Sequence, residues 1–127
     1  MLIVVCITLF KMSDLSANRV LNFSGRKEKW PTWSEKFLAK AKHSGIKDVL
    51  LGKLQIPKSS EELDEKTEEG RKLLRNADLN ELAFTELIIS IDVSSSNGKI
   101  TFGIIKSCKT KDYEDGNASL AWEKLKK

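Results

Sequence analysis

The chain has 127 residues, of which 40% are hydrophobic and 31% charged, and this balance is typical of a soluble globular domain. The length gives room for one modest core and excludes a large catalytic architecture. Two cysteines and one histidine are too few for a disulfide framework or a Cys/His zinc site. We therefore expect no metal and no cofactor.

The net charge of +4 is unevenly distributed along the chain. Residues 19–53 carry nine Lys or Arg against three Asp or Glu, residues 58–92 carry five against ten, and residues 93–127 carry seven against four. The chain thus alternates between basic, acidic and basic segments. A basic segment can bind phosphates, but differently charged helix faces can also be solvated or can meet a neighbouring copy.

The first ten residues, MLIVVCITLF, form an apolar run that is too short to span a bilayer, so we expect no membrane partner. Three interpretations stay open: an ordinary translated extension, a signal peptide that lacks a positively charged start, or an upstream extension of the reading frame with Met12 as the natural start. We assign residues 1–21 to an apolar extension and linker, and residues 22–127 to one helical domain.

The first predicted element is a short extended segment at Phe23 that ends in a turn at Gly25. Thr32 and Glu35 form a capping-box pattern, which predicts that a helix begins there and ends at Gly45. Its predicted buried face consists of Trp33, Phe37 and Ala41. Beyond it the sequence predicts a short helix closed by Gly52, with Ile46, Val49 and Leu50 on one side.

A long central helix is predicted from Ser60 to Ile91, after a connector that contains Pro57. Ser59 and Glu62 form its candidate cap, and a break is expected near Gly70 or Asp78. The residues of its predicted buried face are Leu73, Leu74, Ala77, Leu79, Leu82, Ala83, Leu87, Ile88 and Ile91.

The segment VSSSNG, residues 93–98, is predicted to be a loop. The following KITFGIIKSCK fits either a strand after an Asn-Gly turn or a helix, and we favour a helix because no other segment offers a strand partner. Asn117 is the predicted cap of a last helix with Leu120 or Ala121, Trp122 and Leu125 facing inward. The sequence therefore predicts an all-α domain of five or six helices.

Residue patterns that would indicate an enzyme are absent from the sequence. With one histidine, no nucleophile elbow, no phosphate-binding loop and no dinucleotide fingerprint, a catalytic set cannot be named. His43 is expected to interact with carbonyls at a helix end, and the acidic run of residues 61–69 is expected to be a solvated helix start. We expect a protein that is not an enzyme and has no small-molecule substrate.

The order of three segments, LNFSGRKEKWPTWSEKFLAKAKHSGIKDVLLG, ADLNELAFTELIISI and GNASLAWEKLKK, resembles the amino-terminal Gag segment of Copia-type LTR retrotransposons. The resemblance implies an all-α capsid-like structural domain of a transposable element, which self-assembles around element RNA in the cytoplasm. The positions that match the family pattern, and that it implies as determinants of the fold, are Phe23, Gly25, Trp33, Leu50, Gly52, Trp122 and Leu125.

The chain departs from the family pattern in lacking a Cys-Cys-His-Cys zinc knuckle, so any RNA contact is expected to be weak. Its last helix also stops before the family's usual continuation, which leads us to expect a fragment or a remnant, incomplete at its carboxyl end.

An alternative function is a monomeric basic helical module that binds nucleic acid or protein. Its candidate partner surface consists of Trp30, Arg26, Lys27 and Lys29. Trp30 precedes Pro31 and is predicted to lie outside the first helix, where it either packs over the helix start or stacks on a base. Burial of its ring would favour the structural role.

Overall fold

The computed structural model describes residues 22–126, and the expectations for residues 1–21 lie outside this range. A 3-10 turn at Lys27–Lys29 precedes five α-helices, and no strand occurs within the described range. The prediction of an all-α domain with five or six helices is confirmed. The helices are α1 Trp30–Ser44, α2 Lys47–Leu50, α3 Glu68–Ile89, α4 Ser96–Lys106 and α5 Ala118–Lys126.

The long helix α3 lies at the centre and packs against α2, α4 and α5. The short helix α2 also packs against α1 and α5, and α4 packs against α5. One ion pair links α1 to α3, since the Lys40 Nζ lies 3.4 Å from the Glu86 Oε2. All five helices therefore contribute to one hydrophobic core.

The chain enters this core through an extended segment at Phe23, as predicted. The Phe23 N–H donates to the Ser90 carbonyl at 2.7 Å, and its carbonyl accepts from the Asp92 N–H at 2.9 Å. These bonds place Phe23 beside Ile91 in an isolated parallel bridge. The amino-terminal end of the domain is thereby fixed to the carboxyl end of α3.

Helix α1 starts at Trp30, so the predicted cap at Thr32 and Glu35 is wrong. The 3-10 turn leads directly into the helix, and Pro31 occupies its first turn, where a fixed φ and a missing N–H carry no penalty. The predicted end is confirmed, because Gly45 adopts a left-handed conformation with φ of 81°. The predicted buried residues Trp33, Phe37 and Ala41 are also confirmed.

The start of α3 was predicted eight residues too early, and the predicted break is absent, because α3 is continuous from Glu68 to Ile89. Thr67 is the cap, and its side-chain oxygen accepts from the Gly70 N–H at 2.9 Å. Ser59 instead accepts from the Glu114 N–H at 2.8 Å. This contact between distant loops explains why the Ser59 and Glu62 pattern does not start a helix.

Helix α4 confirms the choice of helix over strand, although it begins within the predicted loop. Ser95 caps it, accepting from the Gly98 N–H at 3.0 Å. The cap at Asn117 is confirmed by the Leu120 N–H, which donates to Asn117 Oδ1 at 3.2 Å. In α5 it is Ala121 that is buried, whereas Leu120 is exposed.

Leu82, which helical spacing assigned to the buried face of the central helix, is exposed, and so are Ile100 and Ile104 of α4. In α3 the inward positions around Leu82 are taken by Ala83 and Phe84. In α4 they are taken by Thr101 and Ile105. Apolar residues therefore occupy more of the circumference of α3 and α4 than the core covers. Some of these residues consequently lie on the surface.

Candidate functional site

Five aromatic side chains meet where α1, α5 and the segment before α1 converge. Phe23 stacks on Trp33 with ring centroids 4.8 Å apart, and Trp33 stacks on Phe37 at 4.7 Å. Trp122 lies 5.8 Å from Phe37. Phe23, Trp33, Phe37 and Trp122 are all buried, so these rings form an aromatic core cluster.

Trp30, the residue offered as a stacking partner, belongs to the edge of the same cluster. Its ring lies 4.9 Å from Trp122, 5.5 Å from Trp33 and 5.7 Å from Phe23. It is the first residue of α1, so the prediction that it lies outside the helix is wrong. The ring is half-buried, and its contacts favour the structural role over base stacking.

Replacing Trp30 by alanine is expected to lower the free energy of unfolding by about 2 kcal/mol, because three aromatic contacts are lost. Urea denaturation followed by circular dichroism measures this change. Lys29→Ala is the matched control, since Lys29 is the exposed neighbour in the sequence. An unchanged midpoint for Trp30→Ala would instead favour the stacking platform.

The other three residues of the proposed partner surface are charged and do not belong to a buried site. Arg26, Lys27 and Lys29 are exposed, and Arg26 pairs with Glu28 at 3.1 Å. Only Lys27 and Trp30 of this set line a common groove, which lies between α4 and α5. The structure therefore does not gather the four predicted residues into one binding site.

The other residues that match the family pattern lie in or beside the core. Leu50 is fully buried in α2, and Gly52 follows this helix, its N–H donating to the Val49 carbonyl at 3.1 Å. Gly25 lies so close to α4 that a Cβ there would overlap the Asn97 carbonyl and the Thr101 hydroxyl. Leu125 is half-buried at the edge of the core.

A buried polar link between α3 and the loop before α5 was missed from the sequence. The Asn80 side chain donates to the Gly116 carbonyl at 2.8 Å and accepts from the Ala118 N–H at 3.0 Å. Asn76 makes a similar link, donating to the Gln55 carbonyl at 3.0 Å. Helical spacing is the feature of the sequence that could have revealed both links, because it places Asn76 and Asn80 on the same face of α3 as Leu73 and Leu87. A polar side chain on a buried face requires a hydrogen-bonding partner there.

Asn80→Ala is expected to destabilise the domain by about 2 to 3 kcal/mol, because it leaves a buried carbonyl and a buried N–H without their partner. Asn97→Ala is a control at an exposed position near the start of α4. Thermal unfolding of the two variants provides the comparison. Equal unfolding temperatures would show that the Asn80 link does not contribute to stability.

The first surface feature that can hold a partner is the α4–α5 groove, a volume of about 180 Å³. Ile100 and Ile104 of α4 and Leu125 of α5 supply its aliphatic wall, and Trp30 contributes the edge of the aromatic cluster. Lys27 and Lys124 also line it. The sequence did not reveal this groove, because the same isoleucines fit a buried helical face.

A second feature is the lysine hollow between α1 and α2, of about 270 Å³. It is lined by Lys42, Lys47 and Lys53, together with Gly45 and one acidic residue, Asp48. The excess of positive charge suits a phosphate. The basic composition of residues 19–53 indicated a positive charge in this part of the chain. It did not indicate that these three lysines lie together.

A third hollow, of about 360 Å³, lies beside Phe23 and Trp33. Lys29, Lys36 and Asp92 line it, so its charges are mixed. The Asp92 carboxyl accepts hydrogen bonds from the Ser94 hydroxyl and from the Ser94 N–H. Both bonds lower the pKa of this carboxyl, the hydroxyl more strongly, so that it is ionised at neutral pH. This carboxylate caps a turn and opposes anion binding in the same hollow.

Titratable groups in residues 22–126 do not assemble into a reactive set. Within that range, no group of three or more His, Cys, Asp or Glu side chains is placed to hold a metal ion. Cys108 is buried, and its burial raises the pKa of its thiol, which makes it a poor nucleophile. His43 is exposed in the last turn of α1.

None of the helices formed by residues 22–126 is both long enough and apolar enough to cross a bilayer. Comparison of the chain with known proteins found no matching family, no similar curated protein and no similar solved structure.

Proposed function

We propose that the chain is a non-enzymatic Gag-like structural domain of a Copia-type retrotransposon, which self-associates in capsid-type assemblies around element RNA. The order of the three sequence segments supports the Gag-like part of the proposal. The small all-α fold is consistent with it. An assembly of this kind would form in the cytoplasm.

The observation that carries the self-association is the number of large aliphatic side chains left on the surface of so small a domain. They are Leu82, Ile89, Val93, Ile100, Ile104 and Leu120, with between 36% and 64% of each side chain exposed. Exposed apolar side chains that lie together, as Ile100 and Ile104 do in the α4–α5 groove, commonly mark protein interfaces, because burying them in a contact removes them from water. In a self-associating protein, such residues would be buried in the contact between copies.

Electron microscopy of the concentrated 127-residue protein, with and without single-stranded RNA, tests the capsid-type assembly. Closed particles of uniform size are expected, and RNA inside them would be protected from ribonuclease. Amorphous aggregates, or an RNA that is digested as fast as free RNA, would contradict the proposal. The measurement with RNA distinguishes an assembly that encloses nucleic acid from a polymer that does not.

The lysine hollow supports a second candidate function, a monomeric module that binds the phosphates of nucleic acid. Its test is the salt dependence of binding to a labelled single-stranded RNA. Replacing Lys42, Lys47 and Lys53 by glutamine is expected to weaken binding and to reduce the slope of log affinity against log salt by about 2. A variant with Lys72, Lys99 and Lys106 changed to glutamine loses the same charge elsewhere and serves as the control. Equal losses in both variants would exclude a specific phosphate site.

A further inference from the structure

The α4–α5 groove is concave, and its aliphatic wall is exposed to solvent. Ile100 is 64% exposed and Ile104 is 36% exposed, one helical turn apart on the same side of α4. Together with Leu125 across the groove, they form an apolar seat for one face of a helix.

The charge of the groove limits what can dock there. Both ionisable residues that line it, Lys27 and Lys124, are basic. The nearest acidic residues in the sequence already have partners, since Glu28 pairs with Arg26 at 3.1 Å and Glu123 with Lys126 at 3.5 Å. Pairing of the groove with itself across a twofold axis would bring like charges together, which is unfavourable. The groove therefore suits an apolar surface with acidic neighbours.

The chain presents such a surface on the outer side of α3, which we call the α3 stripe and define as Asp78, Glu81, Leu82, Thr85 and Ile89. Leu82 is 42% exposed and Ile89 is 49% exposed, and their spacing of seven residues places them on one side of the helix. Asp78 lies one turn before Leu82, and Glu81 is its neighbour; both are exposed. The stripe is thus apolar with two acidic residues beside Leu82, and exposed Arg75, seven residues before Leu82 on the same side, adds one positive charge beyond them.

The groove and the stripe are distinct surfaces of one chain. The residues that line the groove come from the segment before α1, the start of α1, α4 and α5, and they include no residue of α3. One copy can therefore offer its groove to a second copy and its stripe to a third at the same time. A contact between two different surfaces repeats from copy to copy and closes into rings or continues into filaments.

Resting on the proposed self-association, we propose that the α3 stripe of one copy docks into the α4–α5 groove of the next, head to tail. Leu82 and Ile89 lie against Ile100 and Ile104, while Lys27 and Lys124 attract the two acidic residues of the stripe. Four aliphatic anchors make a small contact by the standards of obligate oligomers, so the assembly depends on protein concentration and weakens with salt.

Two variants, each altered in one surface, test the direction of this contact. The groove variant carries Ile100→Asn and Ile104→Asn, and the stripe variant carries Leu82→Asn and Ile89→Asn; all four positions are exposed, so both variants are expected to fold. Each variant alone is expected to stay monomeric at concentrations where the unmodified chain assembles. Their equimolar mixture is expected to form a 1:1 dimer of twice the monomer mass and nothing larger, because only one intact groove meets one intact stripe.

Ala39→Asn is the control, since Ala39 is exposed on α1 and belongs to neither surface; it is expected to assemble like the unmodified chain. Sedimentation equilibrium gives the masses, and circular dichroism checks that each variant is folded. Assembly of the groove and stripe variants at the unmodified level would overturn the inference and leave the proposed function intact. Monomeric variants whose mixture also stays monomeric would overturn the head-to-tail arrangement. An unmodified chain that never assembles would overturn the proposed function as well.

Discussion

Replacing Trp122 by alanine is expected to remove about 3 to 5 kcal/mol of stability. Trp122 is 2% exposed and contacts Trp30, Trp33 and Phe37 at ring-centroid distances between 4.9 and 6.0 Å. A domain of this size has a total stability of about 5 to 15 kcal/mol. The variant is therefore expected to be largely unfolded at the temperature at which the unmodified chain is folded.

Urea denaturation of Trp122→Ala, or of Trp122→Phe where the alanine variant does not fold, measures the effect. Trp122→Phe keeps an aromatic ring, so its loss of stability is expected to be about half of the loss in Trp122→Ala. Leu120→Ala is the control on the same helix, because Leu120 points away from the core and its loss is expected to cost less than about 1 kcal/mol. Similar losses for Trp122→Ala and Leu120→Ala would contradict the assignment of Trp122 to the centre of the core.

Gly116→Ala is the second substitution with a large expected effect, a loss of about 3 kcal/mol. Gly116 has φ of 97°, where an L side chain is strained by about 1 to 2 kcal/mol, and an added Cβ would overlap the Phe84 ring. Phe84 is buried and has little freedom to move away, so overpacking adds a further cost. The loop before α5 and the face of α3 would both have to shift.

Gly45→Ala separates the two contributions. Gly45 has φ of 81°, but no atom lies within 4 Å of the place where its Cβ would be, so only the backbone strain of about 1 to 2 kcal/mol is expected. Chemical denaturation of both variants gives the difference, which measures the overlap with Phe84. Equal losses would show that the loop at Gly116 adapts without disturbing α3.

Much of the helical core follows directly from residue spacing. Trp33, Phe37 and Ala41 recur at helical intervals and Gly45 ends their helix, so the buried face of α1 and its carboxyl end could be predicted. The helix starts were harder to predict. Thr67 and Ser95 cap α3 and α4, whereas the stronger local pattern at Ser59 is used in a contact with the loop at Glu114.

The candidate surfaces could not be predicted in the same way. Periodicity alone does not distinguish an isoleucine that faces the core from one on an adjacent exposed face, and Ile100, Ile104 and Leu82 belong to the second group. Which side of α4 is covered depends on where α5 and Trp30 lie, and the local sequence of α4 does not contain that information. The buried role of Asn80 likewise depends on Gly116, 36 residues further along the chain.

Sedimentation velocity of the unmodified chain over a concentration series, at low and at high salt, tests the central claim of self-association most directly. The sedimentation coefficient is expected to rise with protein concentration at low salt and to fall back toward the monomer value at high salt, because apolar contacts and opposite charges act together in the proposed interface. A coefficient that stays at the monomer value at every concentration and salt would contradict the account.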